Sequence, residues 1–425
     1  MANIRSRSGL LWKKWGRECM FFATGFGFLL IVLLPSLNSW KKESDMIPKH
    51  FPGTSPGDLV DLTLLQSSKV EGAVCLDGSA PGYHLQRGFG SGSNYWIVHI
   101  EGGGWCNTLE SCSLRKNTAL GSSTFMEKQV PFSGFLSSNQ SQNPDFFSWN
   151  KVRIRYCDGA SLSGELEDEV QGYGLFFRGQ RIWRAIMDEL LLKGLANAQK
   201  ALLSGCSAGG LATFIHCDDF RALLPKGVTV KCLADGGFFL DEKDVSGKRS
   251  IRSFYHEVVS MQGVSKNLRK DCVSRVQPSQ CFFPQEFITG IETPIFIVNS
   301  AYDWWQIQNI LAPDDADPHN DWLKCKQDIY NCNLDQLKVL HEYRSSMLDA
   351  LEPFQHSKNG GMFINSCYAH CQTWKDKTWH SPESPRLNNK TIAEAVGDWY
   401  FDRKEVKEID CPFPCNPSCN NEVFS

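Results

Sequence analysis

Leu202-Leu203-Ser204-Gly205-Cys206-Ser207-Ala208-Gly209-Gly210 decides how the rest of this 425-residue chain is read. An apolar run ends in a G-x-S-x-G frame, Gly205 to Gly209, and an amphipathic stretch over residues 211–224 follows it. Strand, sharp turn and helix in that order are the sequence form of a nucleophile elbow. Its glycines leave room for backbone where side chains would collide, and Ser207 is held on a strained φ/ψ with its Oγ turned outward. A glycine-rich strand-to-helix turn of any α/β protein has the same pattern, so the frame alone does not fix the chemistry.

Further evidence lies on both sides of it. Residues 95–100, Tyr-Trp-Ile-Val-His-Ile, are apolar and short enough for a buried strand, and Glu101-Gly102-Gly103-Gly104-Trp105-Cys106 follows at once. Three glycines at a strand exit cost conformational entropy, which suits a place where bare backbone N–H groups must approach a ligand. In α/β-hydrolases a loop of this kind supplies the oxyanion hole, together with the amide after the nucleophile. The expected donors are Gly104, Trp105 and Ala208.

Residues 73–82 read as an early strand and turn, and residues 152–157 and 228–234 as further strands. Residues 178–192 form an amphipathic helix. Strand and helix alternate, which predicts an α/β fold with a mainly parallel sheet flanked by helices. Residues 241–290 read as mixed helix and loop, a cap or insertion. Residues 294–300 are a late buried strand that runs directly into Ala301-Tyr302-Asp303-Trp304-Trp305. Catalytic side chains gather at the carboxyl ends of such strands, so Asp303 leads as the acid and Asp235, at another strand end, is its rival. A helix over 334–351 and a last strand over 361–366 precede Cys367-Tyr368-Ala369-His370-Cys371, and a closing helix covers 392–401. His370 therefore leads His356 and His380 as the base. The order Ser207, Asp303, His370 is that of the α/β-hydrolase triad.

With 42% hydrophobic and 12% aromatic residues the chain can bury a large core, which excludes a disordered protein. Arg5, Arg7, Lys13, Lys14 and Arg17 precede an apolar run over residues 19–34 without a clear small-x-small cleavage site. Residues 1–42 are read as a cytosolic basic tail plus signal peptide or signal anchor, with the anchor favoured. Residues 43–58 are a stem and 59–425 the folded domain. Residues 1–42 hold seven Lys/Arg and one Glu, which leaves the remainder at −9 and argues against a nucleic-acid partner. Apart from Cys19, sixteen of the seventeen cysteines lie between Cys75 and Cys419 without a metal-ligand repeat, as expected of disulfides in an oxidising compartment, with the pairing open. Cys411-x3-Cys415-x3-Cys419 lacks an accompanying histidine and reads as a disulfide-knotted end rather than a zinc site. Asn139 and Asn389 open glycosylation sequons.

The chain resembles the plant pectin acetylesterases, which share their fold with the Notum carboxylesterases, over residues 60–421. The resemblance is carried by Val98 through Cys106, Arg155-Tyr156-Cys157-Asp158-Gly159-Ala160-Ser161, Gly205 through Gly210, Asn299-Ser300-Ala301-Tyr302-Asp303, Ala316-Asp317-Pro318-His319, Asn365 through Gln372 and Cys411 through Pro417. It implies that Ser207 is nucleophile, Asp303 orienting acid and His370 base, and that the substrate is acetylated galacturonan of the cell wall. Two departures from the family pattern are Trp304, where a smaller polar residue is usual, and Gly236, where alanine is usual. Trp304 is expected to narrow the substrate pocket. A pectin acetylesterase without metal or organic cofactor is expected, a monomer, secreted to the wall or anchored as a type II protein in Golgi or plasma membrane. The rivals are a Notum-like deacylase of longer acyl chains and a catalytically silent wall-binding protein.

Overall fold

The computed structural model describes residues 59–358 and 360–424; the expected tail, anchor and stem fall outside them. Its centre is one ten-stranded sheet, in the order β10-β9-β8-β7-β6-β3-β5-β2-β1-β4. The strands are β1 Leu59–Leu64, β2 Gly82–Gln86, β3 Tyr95–Ile100, β4 Gln129–Pro131, β5 Asn150–Ile154, β6 Lys200–Cys206, β7 Thr229–Asp235, β8 Ile295–Ser300, β9 Gly361–Asn365 and β10 Lys407–Ile409. Every neighbouring pair from β5 to β10 is parallel, and β2, β1 and β4 complete the sheet in antiparallel fashion.

The parallel block follows from its residues. Successive side chains of β6 turn to opposite faces: Ala201 and Leu203 pack with Ile182, Trp183, Ile186, Leu211 and Phe214, whereas Leu202 packs with Phe296, Phe363, Ile392, Val396 and Trp399. Both faces are covered, so the strand is apolar along its length instead of alternating. The helices Gly179–Leu192 and Ala208–Ala222 supply one cover and Ile392–Tyr400 part of the other. The last of these starts at a capping box in which Thr391 and Glu394 satisfy each other's backbone N–H groups.

Chain order reverses around β3: β5 is its neighbour on one side and β6 on the other. Ligand sites of open α/β sheets gather beyond the strand ends at such a switch point, and here the glycine loop after β3 and Ser207 after β6 lie side by side at it. The expected strand at 73–82 is corrected. Residues 66–71 form a 3-10 turn, residues 73–81 run irregularly, and the strand is Gly82–Gln86. Cys75 is bonded to Cys157 at the end of β5, so a covalent tie rather than a ladder fixes that segment. All sixteen cysteines from Cys75 to Cys419 are paired, in eight bridges. Cys411 is bonded to Cys415, which consumes the thiols of the one Asp410-Cys411-Cys415 cluster with metal-like spacing among the described residues. Among the described residues no helix is long and apolar enough to cross a membrane.

Candidate active site

Ser207 stands between β6 and its helix with φ 58° and ψ −125°, a conformation that L-residues rarely adopt. The turn is tight because a Cβ on Gly205 would collide with the Gly209 carbonyl, and one on Gly209 with the Ile100 carbonyl. The Ser207 N–H donates to the Asp235 carbonyl at 2.8 Å, which fixes the turn on the end of β7. Its Oγ is buried and has no hydrogen-bond partner among the described residues.

The loop after β3 passes over this turn. A Cβ on Gly102 would stand 2.7 Å from the Cys206 carbonyl and 2.9 Å from Ser207 Cβ, and Gly103 and Gly104 have φ of 140° and 59°. Side chains are excluded there by contact and by backbone alike. The Gly104 carbonyl accepts from the Tyr156 hydroxyl at 2.8 Å, and among the described residues the amides of Gly104 and Trp105 have no backbone acceptor. Ala208 is the first residue of its helix, where the N–H has no partner within the helix. Ser161 ties these parts together: its hydroxyl accepts from Trp105 Nε1 at 2.8 Å and donates to the Ala208 carbonyl at 2.8 Å.

Beyond β8, Asp303 is fully buried and accepts from the Gln306 N–H at 3.1 Å. Its other oxygen meets His370 Nδ1 at 2.7 Å. This is the carboxylate–imidazole pairing that orients a histidine for general-base work. The rival acid is engaged elsewhere: Asp235 Oδ2 accepts from both the N–H and the hydroxyl of Thr373 at 2.7 Å, and burial pushes that carboxyl above its usual range. The rival histidines are also elsewhere. His356 is exposed beside Glu352, and His380 Nδ1 meets the Thr391 hydroxyl at 2.9 Å. Gly236 has φ 55°, and a methyl group there would lie 3.1 Å from His370 Nδ1.

Two indoles flank His370, and a third packs behind them. Trp304 meets the His370 ring edge-on at 5.3 Å and Phe424 at 4.9 Å, while Trp305 lies parallel to His370 at 6.2 Å. Trp305 also meets Trp105 at 5.6 Å and Phe239 at 5.2 Å. Tyr255, from the helix Ser250–Met261 in the expected insertion, packs on Trp105 at 5.1 Å. Asn139 and Asn389 are exposed, away from the core.

Comparison with known proteins places the chain in a family. Residues 54–420 match the family model described as Pectinacetylesterase. The chain belongs to the pectin acetylesterase family. Pectin acetylesterase 5 of Arabidopsis thaliana is 56% identical over 429 residues, covering 100% of both chains, and pectin acetylesterase 4 of the same plant is 55% identical over 97% of this chain and 99% of its own. More distantly, palmitoleoyl-protein carboxylesterase notum2 of Xenopus laevis is 26% identical over 89% of this chain and 77% of its own. The crystal structure of the Wnt deacylase Notum from Drosophila superposes with a TM-score of 0.70 at 22% identity, covering 85% of this chain and 99% of that one, which shows a common α/β-hydrolase fold. This pectin acetylesterase family member is a carboxylic ester hydrolase.

Several residues that shape the site have no role assigned from the sequence. Glu101 is buried between Arg153 at 2.5 Å and Arg155 at 2.8 Å, and it pins the start of the glycine loop to β5. Burial alone would raise its carboxyl, but Arg155 and Arg153 overcome that and hold it at about 2. Two arginines spaced i, i+2 in the otherwise apolar run 152–157 are the available signal, since extended chain puts them on one face. Ser161 and Tyr156 sit within a stretch that carries the family resemblance, but their bonds to the loop and the elbow join segments far apart in sequence.

Proposed function

We propose that this chain is a serine carboxylesterase that hydrolyses O-acetyl esters of cell-wall pectin, homogalacturonan or rhamnogalacturonan, through Ser207, His370 and Asp303. Ser207 Oγ attacks the acetyl carbonyl while His370 takes its proton, and Asp303 holds the ring and stabilises the imidazolium. The amides of Gly104, Trp105 and Ala208 receive the oxyanion. The proton passes to the leaving sugar hydroxyl, and water, deprotonated by His370, then releases acetate from Ser207. The observation that carries the reading is the 2.7 Å contact between His370 and buried Asp303, on a fold whose strained elbow bears Ser207. The names of the Arabidopsis relatives supply the substrate class.

Disulfide bonding and two exposed sequons support passage through the secretory pathway to the cell wall, with residues 1–42 as leader or anchor. The test is acetate release from acetylated pectin together with labelling by a fluorophosphonate probe. Wild type should do both and Ser207→Ala neither, with kcat lower by several orders of magnitude. Acetate release by Ser207→Ala at the wild-type rate would exclude the mechanism, and wild type that is labelled but inactive on pectin would exclude the substrate.

A further inference from the structure

The base and the nucleophile do not sit on neighbouring strands. His370 follows β9 and Ser207 follows β6, with β8 and β7 between them. At about 4.8 Å per strand, those ends are separated by roughly 14 Å of sheet. Yet Cys371, next to His370, and Cys206, next to Ser207, have Cα atoms 5.6 Å apart and are joined by a disulfide that spans 165 residues of chain. The loop after β9 must therefore fold back across the ends of β8 and β7, and each strand it crosses holds it. Ser300 of β8 bonds the Cys367 carbonyl, Asp303 just beyond β8 bonds His370, Asp235 of β7 bonds Thr373, and Cys206 of β6 bonds Cys371. Of these ties only the last is covalent, and only it reaches the nucleophile turn. The backbone is conformationally costly at Cys371 and at Ser207, the residue that follows Cys206, each with φ 58°. Such conformations persist where the surroundings over-determine them.

We propose that the Cys206–Cys371 disulfide is the positioning bond of this active site, fixing the His370 loop against the Ser207 turn at the spacing that proton transfer requires. This rests on the roles given above to Ser207 and His370. Its effect is on geometry at the reacting atoms and not on substrate binding, so it acts on kcat. A misplacement of about 1 Å between reacting groups is worth about 10²-fold in rate.

The test compares wild type, Cys206→Ala/Cys371→Ala, the exposed-bridge control Cys411→Ala/Cys415→Ala, and Ser207→Ala on p-nitrophenyl acetate. Competent sites are counted from the end-point stoichiometry of fluorophosphonate labelling. Per labelled site, loss of the Cys206–Cys371 bridge should lower kcat about 10²-fold, with KM within threefold and the rate of fluorophosphonate acylation falling in parallel. The control should keep wild-type kcat. Wild-type kcat without the bridge, or an equal loss in the control, would overturn the proposal while leaving Ser207 in its role. An active Ser207→Ala would instead overturn the underlying assignment. Should the variant fail to fold, graded reduction of the native enzyme decides the matter, with alkylation and peptide mass spectrometry locating the opened bridges. Activity should fall in step with opening of Cys206–Cys371, and activity that persists after that bridge has opened counts against it.

Discussion

A single hydroxyl joins the two halves of the proposed oxyanion hole. Ser161 receives the Trp105 indole N–H and holds the Ala208 carbonyl, so it sets the distance between the loop after β3 and the first turn of the nucleophile helix. Removing an oxyanion donor outright costs about 10² to 10³ in kcat, and Ser161→Ala leaves the donors present but unanchored, so a loss of about tenfold in kcat with little change in KM is expected from steady-state kinetics. Wild-type kcat in that variant would mean that the loop needs no such tie. Trp304 poses a different question. A long acyl chain would gain roughly 0.8 kcal/mol for each methylene buried in an apolar cavity, but here Trp304 and Trp305 pack against His370 and Trp305 against Trp105. Wild-type kcat/KM on p-nitrophenyl esters should fall steeply from acetyl to butyrate to octanoate, and Trp304→Ala should flatten the fall. Preference for octanoate in the wild type would favour the long-chain deacylase. The triad candidates were legible because strand ends mark them, whereas Ser161 was not: nothing local to it reveals a partner at position 208.

The ends of β3, β6, β7, β8 and β9 each contribute one piece, and the division of labour between β7 and β8 can be tested. Asp235 ends β7 and grips Thr373, while Asp303 lies beyond β8 and grips His370. Burial already favours the neutral form of Asp235, and an asparagine oxygen can still accept from Thr373. Asp235→Asn should therefore keep most of its kcat, while Asp303→Asn, which gives His370 the wrong partner, should lose several orders of magnitude. The reverse ranking would make Asp235 the acid. Elements were legible in proportion to burial. β3, β6, β7, β8 and β9 are apolar runs, whereas β1, β4 and β10 were not read from the sequence. β4 and β10 have three residues each, too few to show a period, and β1, in the antiparallel part of the sheet, is mostly exposed. Long-range ties such as Cys75–Cys157 decide where an irregular segment lies, and pairing among sixteen cysteines has no signature in one sequence.

The molecule as a whole holds its charge in a way that links stability to the acidity of its surroundings. Beneath the glycine loop, buried Glu101 and Arg155 and half-buried Arg153 form a cluster beside two buried histidines. Burial, reinforced by Arg155, lowers His84 to about 4, and burial, reinforced by Arg153, lowers His99 to about 3. Both imidazoles are neutral in the folded protein at pH 5, whereas unfolded chains protonate theirs near pH 6.5. The stability they confer is thus fully present above about pH 6.5 and is lost as pH falls below it, levelling only near their folded values. From pH 7 to pH 5 the loss amounts to about 2 kcal/mol for each group. Asp158, pushed up to about 6 by burial, works in the opposite direction between pH 6 and 4, so the net slope of the wild type mixes both signs. A difference between proteins isolates one of them. His99 Nδ1 meets the Ser204 hydroxyl at 2.9 Å, and an asparagine there can keep a polar partner without titrating. In urea unfolding at pH 7 and pH 5, His99→Asn should be less stable than wild type at pH 7, because it removes packing. It should nevertheless lose about 2 kcal/mol less between the two pH values. Equal losses in the two proteins would show that His99 binds a proton in the folded state as readily as in the unfolded chain, and that burial and Arg153 do not hold it neutral.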